Sequence, residues 1–150
     1  MPDSSVNTIV FSPDSRTMIT GDRNGEVLMW ERETWEKPTY LPARSTRAAD
    51  DVAQIWFFGT LALSPDGNVI VTAYGDDGVV TVRDRAGREL FAFSYGARVY
   101  AVAFSLDGKY VAAGGVEGGV VIFDVEAQQQ VAKLVSDHEY VCNVVFSPNN

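Results

Sequence analysis

Leu63-Ser64-Pro65-Asp66-Gly67 is one of four copies of a short phrase, and its recurrence decides how the chain is read. The others are Phe11-Ser12-Pro13-Asp14, Phe104-Ser105-Leu106-Asp107-Gly108 and Phe146-Ser147-Pro148-Asn149. Successive copies lie 52, 41 and 42 residues apart. Self-similarity at a period of roughly 40 to 45 residues marks stacked units rather than one irregular fold. The fourth copy falls on the last residues of the 150, so the phrase predicts an array of which this chain is a part.

Around each phrase the sequence reads as strands. Val6 to Phe11, Val99 to Phe104 and Val141 to Phe146 are short β-branched and aromatic runs that lead into it. Proline presets φ for a type I turn, and Gly67 or Gly108 then accepts the left-handed conformation that closes the hairpin. Ser15 replaces that glycine in the first unit, which predicts a more strained turn there.

Second strands are expected over Thr17 to Thr20, Asn68 to Tyr74 and Lys109 to Gly114. Arg23-Asn24-Gly25, Asp76-Asp77-Gly78 and Glu117-Gly118-Gly119 carry tight-hairpin chemistry, and third strands end at Trp30-Glu31, Arg83-Asp84 and Phe123-Asp124. Glu36 to Leu41, Glu89 to Phe93 and Gln130 to Val135 complete three four-stranded meanders. Val79-Val80-Thr81-Val82 and Val120-Val121-Ile122-Phe123 are apolar on both faces, so each sheet must be covered on both sides, as in a stack.

This order of strand, Ser-Pro-Asp-Gly, strand, Asp-x-Gly turn and strand ending near Trp-Asp resembles the WD40 repeat over essentially the whole chain. The resemblance implies an all-β fold of propeller blades, about three plus one extra strand, with a ring that this chain alone does not close. The blades are expected at about 6–53, 55–94 and 98–135, with the first strand of a fourth at about 140–146. In that family a His before the first strand, a Ser or Thr on the second, an Asp in the second turn and the Trp form a buried tetrad. Here Trp30, Asp77, Asp84, Asp124 and His138 are the matching positions, but no copy keeps both Trp and Asp. Apolar packing is therefore expected to outweigh the network.

Composition narrows the function. A net charge of −8, from 20 acidic against 12 basic residues, argues against a sequence-independent nucleic-acid binder, which needs clustered Lys and Arg. No apolar run approaches the roughly 20 residues that span a bilayer, and the N-terminus lacks a basic n-region and an apolar h-region, so no membrane partner and a cytoplasmic setting are expected. Cys142 is the only cysteine and lies in an apolar strand pattern, which predicts an inert residue without a disulfide. His138 is the only histidine, and the resemblance makes it scaffold, an Asp-His in place of Gly-His, rather than a base or ligand. Gly114 to Gly119 runs from strand to strand without the Lys of a phosphate loop, and Asp76-Asp77 lacks the spaced oxygens of a calcium loop. No catalytic, metal or cofactor residue is expected.

The long first interval carries the candidate site. Its excess falls in Pro42 to Asp51, a connection that the resemblance places on the face of the Asp-x-Gly turns. Arg44 and Arg47 there are candidate contacts to an acidic or phosphorylated group, and Trp56 a candidate aromatic anchor. Trp35 and Tyr40 are further aromatics near the rim, for which core packing is favoured. The expected function is a protein-protein interaction scaffold of WD40 type whose mechanism is presentation of loops. Its alternative is a gating or regulatory propeller in a larger peptidase, kinase or nucleotidase. Open propeller ends also predict self-association.

Overall fold

Among the described residues, twelve strands form three antiparallel sheets of four, each wound in simple sequence order. The computed structural model describes residues 5–22, 26–41, 60–73, 77–135, 137 and 139–148. The first sheet holds β1 (Val6–Phe11), β2 (Thr17–Asp22), β3 (Val27–Glu31) and β4 (Thr39–Leu41). The second holds β5 (Thr60–Leu63), β6 (Val69–Ala73), β7 (Val79–Asp84) and β8 (Glu89–Ser94), and the third β9 (Val99–Phe104), β10 (Tyr110–Gly115), β11 (Gly119–Asp124) and β12 (Gln129–Val135). Each sheet is one blade, β1, β5 and β9 lie side by side, and the three do not close a ring.

The recurring phrase is a hydrogen-bonded device that makes the same hairpin three times. Ser12, Ser64 and Ser105 are buried, and each hydroxyl donates to the aspartate two residues on, at 2.6, 2.5 and 2.7 Å. The same oxygens accept the N–H groups of Thr17, Val69 and Tyr110, each at 2.9 Å. Asp14, Asp66 and Asp107 in turn accept the N–H groups of Arg16, Asn68 and Lys109. The position after the aspartate is left-handed in all three turns: φ is +73° at Gly67 and Gly108 and +57° at Ser15. The strain expected at Ser15 is therefore present.

Packing between sheets builds the core. Ile19, Val27 and Leu41 of the first blade meet Leu61 and Ile70 of the second. Val71, Val80, Val82 and Phe93 of the second meet Val102, Val111, Val121 and Phe123 of the third. Ile70, Val71, Val80, Val82 and Val111 are fully buried, each worth about 1.5–3 kcal/mol of transfer from water. Phe123 stacks on Phe93 with centroids 4.2 Å apart and planes within 7°.

Two elements differ from the sequence reading. β4 has three residues instead of six, because a 3-10 turn at Arg32–Thr34 uses up chain and Pro38 has no N–H to give to a ladder. Residues 140–146, read as the first strand of a fourth blade, form no paired strand: Tyr140 makes a single bridge to Val116, and the Val141 N–H donates to the Gly115 carbonyl. A strand requires a paired neighbour, and among the described residues none pairs with this run beyond that bridge.

Replacing Ser15 by glycine is expected to raise stability by roughly 0.5–1 kcal/mol, because relief of the left-handed strain exceeds the added backbone entropy of the unfolded chain. Urea denaturation of the two proteins checks this.

Candidate functional site

The meander sorts side chains onto two ends and two faces of every blade. The Ser-x-Asp turns and the turns between third and fourth strands share one end; the β10–β11 turn and the β8–β9 connection lie at the other. The Trp-Asp positions lie at the first end. Asp84 accepts the Arg88 N–H at 2.9 Å and its Nε at 3.1 Å, closing the β7–β8 turn, and Asp124 accepts the Ala127 N–H at 2.8 Å in the equivalent turn. Both aspartates are turn caps.

Glu31 holds the same position in the first blade but points elsewhere. It accepts the Thr17 hydroxyl at 3.2 Å and Nη2 of Arg85 at 2.9 Å, while the same Nη2 donates to Thr17 Oγ1 at 2.8 Å. Arg85 belongs to the second blade, so this trio clasps two blades together. Arg85 and Glu31 are 39% and 42% exposed, which limits the ion pair to roughly 0–1 kcal/mol. Beside it Arg16, Glu31, Arg32, Glu33 and Thr34 line a shallow depression of mixed charge.

The tetrad survives in part. Trp30 Nε1 donates to Thr20 Oγ1 at 3.0 Å, joining third and second strands in the first blade. Arg83 takes the tryptophan position in the second blade, is 6% exposed, and donates from Nη1 to the Gly87 carbonyl at 3.1 Å with Glu89 3.9 Å from Nη2. Phe123 takes it in the third and stacks on the preceding blade. Asp77 is exposed and accepts the Val79 N–H at 3.0 Å, supporting its own hairpin. Arg44, Arg47, Trp56 and His138 lie outside the described residues. Of the two aromatics expected in the core, Trp35 is 41% and Tyr40 70% exposed, because the short β4 leaves them at the rim. Cys142, read as an apolar strand residue, is exposed, since nothing pairs with its segment.

Sequence reasoning missed Tyr95. It stands ahead of β9, near where the family carries its histidine, and is 9% exposed. Its hydroxyl accepts the Gly115 N–H at 3.1 Å and shares its proton between the carbonyls of Gly119 at 2.8 Å and Val116 at 3.0 Å. One phenol thereby joins the end of the second blade to the β10–β11 turn of the third, and burial pushes its pKa up. Gly115 also lets the Arg98 backbone lie close: a Cβ there would overlap the Arg98 carbonyl oxygen. The double glycine thus serves close packing. Among the described residues no group of three or more His, Cys, Asp or Glu is placed to hold a metal ion, and no helix is long and apolar enough to cross a membrane.

Stacked four-stranded meanders with their first strands side by side define a β-propeller. The family model "WD domain, G-beta repeat" matches residues 2–31, 58–84 and 88–124, more than half of the chain, and the chain belongs to the WD40 family. Autophagy-related protein 18 of Saccharomyces cerevisiae is 28% identical over 119 residues, which are 77% of this chain and 22% of that protein. Small ribosomal subunit protein RACK1z of Arabidopsis thaliana is 33% identical over 82 residues, 54% of this chain and 24% of that one. The chain thus spans about a quarter or less of these relatives. Among solved structures, the RRP9 WD40 repeats superpose with a TM-score of 0.78 at 15% identity, over 95% of this chain and 42% of theirs. A chain of the mitotic checkpoint complex does so with 0.80 at 18%, over 100% and 43%. At these identities the structural matches show the fold alone.

Two outcomes follow. Tyr95→Phe is expected to cost about 1–3 kcal/mol in thermal or urea denaturation, since buried backbone groups lose their partner while packing volume is kept. Asp14, Asp66 and Asp107 are each held below the ordinary carboxylate value, first by the serine hydroxyl and then by a backbone N–H. A carboxylate whose folded pKa lies below its unfolded one adds stability that is fully present above about pH 4 and is lost as pH falls through the lower value. Denaturation midpoints between pH 7 and 3 should hold level and then fall on the acid side, and Asp66→Asn should flatten that fall.

Proposed function

We propose that the chain is part of a protein-interaction platform, a rigid stack of blades that presents turns and interblade connections to a protein partner. The observation that carries this reading is how the side chains at the repeat positions are used. Asp14, Asp66 and Asp107 are hydrogen-bonded anions that hold turns, and Asp84 and Asp124 cap the turns beyond them. Carboxylates committed to turns with lowered pKa values suit a scaffold, whereas proton transfer near neutral pH needs a group whose pKa is raised toward 7. One relative points in the same direction, since RACK1z is a protein of the small ribosomal subunit, itself an assembly of many chains.

Within this reading the partner contacts are assigned to the connection between the first two blades. Arg44 and Arg47 supply cationic donors for an acidic or phosphorylated group in a chain of net charge −8, and Trp56 supplies an aromatic anchor. Exchanging both arginines for glutamate, as Arg44→Glu with Arg47→Glu, is expected to lower partner capture at least tenfold while leaving the melting temperature unchanged. Quantitative affinity capture beside a thermal melt checks this, and unchanged capture would remove the connection from the reading.

A further inference from the structure

The β10–β11 turn holds a glutamate where backbone geometry disfavours one. Glu117 has φ +76° and Gly118, the next residue, +65°. Glycine takes that left-handed region freely, and Asn or Asp are eased there by short side chains that bond locally, but glutamate has neither advantage. Such strain persists only where the surroundings over-determine the backbone, and it gathers at functional positions. Here the turn is held from both sides. The Tyr95 hydroxyl accepts the Gly115 N–H and bonds the carbonyls of Val116 and Gly119, which flank Glu117. The Val116 N–H donates to the Arg98 carbonyl at 2.9 Å, and the Glu117 N–H to the Glu139 carbonyl at 3.1 Å. The outcome is an exposed glutamate on a fixed turn.

Beside that turn stand two aromatic rings. Tyr140 bridges to Val116, the neighbour of Glu117 in the chain, and its ring centroid lies 6.3 Å from that of Tyr100 with the planes tilted by 50°. Tyr140 is 55% exposed, and Glu139 is exposed as well. The position opens on solvent within a complete blade too: Arg98 stands as far ahead of Phe104 as Tyr140 stands ahead of Phe146, and it is only half-buried although its own blade and the preceding one are both described. Among the described residues neither Glu117 nor Glu139 forms an ion pair or a side-chain hydrogen bond.

From this juxtaposition we infer that Glu117, with the Tyr100–Tyr140 pair, is a docking point for a cationic side chain, arginine or lysine, of a basic protein segment. The carboxylate supplies a charge-assisted hydrogen-bond acceptor, and an exposed ring attracts a cation held within about 6 Å of its centroid. Carboxylate and ring side by side suit a guanidinium best, since its plane can lie on the ring while its edge bonds the oxygens. Because the turn is fixed before any partner arrives, little freedom is lost when the contact forms. The charge of −8 draws basic segments toward the surface, and the two free carboxylates repel a nucleic-acid backbone. The docking point rests on the platform reading but not on Arg44, Arg47 or Trp56.

Titrating the full, isotope-labelled chain with a blocked Ala-Arg-Ala peptide, and separately with Ala-Glu-Ala, tests it by amide chemical shifts. The expected result is saturable movement at Gly115 to Gly119 and Glu139 to Val141 with the arginine peptide alone. Glu117→Gln and Tyr140→Leu should each weaken binding roughly threefold or more, while Asp77→Asn, which removes an exposed carboxylate just ahead of β7, should leave it unchanged. Glu117→Gly separates strain from contact, since the melting temperature should rise as the shifts are lost. Shifts spread evenly over the acidic surface, equal shifts with both peptides, binding indifferent to Glu117→Gln, or a Glu117→Gly protein that melts earlier would each overturn the inference. A failed titration beside lost partner capture in the Arg44, Arg47 variant would remove this docking point and leave the platform reading standing.

Discussion

Every blade of this protein depends on being covered by another sheet. Strands such as Val79–Asp84 are apolar on both faces, and a lone four-stranded sheet in water exposes at least one of them. Packing one blade on the next removes that cost: Ile70, Val71, Val80 and Val82 lose all contact with solvent between the first and third blades. The middle blade is satisfied twice and the outer two once. Ile9 and Phe11, over which no described sheet packs, are 55% and 59% exposed.

Inside a blade, the recurring serine and aspartate do the local work. A buried hydroxyl holds the far side of the hairpin and the aspartate, and the aspartate holds the next N–H, so the turn keeps its shape without support from other blades. That independence is why the phrase recurs as sequence: its partners are all within five residues. The links between blades are of another kind. Tyr95 reaches backbone groups 20 to 24 residues away, and Arg85 reaches Thr17 and Glu31 across 68 and 54 residues. No spacing rule in one sequence marks such pairs.

The interaction reading separates along the same line. Aspartates that a residue list offers as acids or ligands are hydrogen-bonded turn members, and the double glycine at 114 and 115 is room for the Arg98 backbone and the Val141 side chain. The tryptophan position held Trp30, Arg83 and Phe123, three different chemistries on one leading face: an indole bonded to threonine, a guanidinium turned to its own hairpin, and a ring stacked on the preceding blade. The three share size rather than chemistry, and only Phe123 stacks on a neighbouring sheet.

By itself the sequence determined the all-β meander, the number of sheets and the left-handed position after each aspartate, because turn chemistry and strand alternation act over a few residues. It overreached at Glu36 to Leu41 and at Val141 to Phe146, where propensity for a strand was plain but pairing was not, since a strand exists only with a partner. It placed Trp35 and Tyr40 in the core because both are aromatic, yet burial depends on what lies opposite. Only the tertiary structure decided which residues of each blade pack against its neighbour, and that Tyr95 and Arg85 join blades. Those outcomes depend on distances between residues far apart in the chain, which local patterns do not encode.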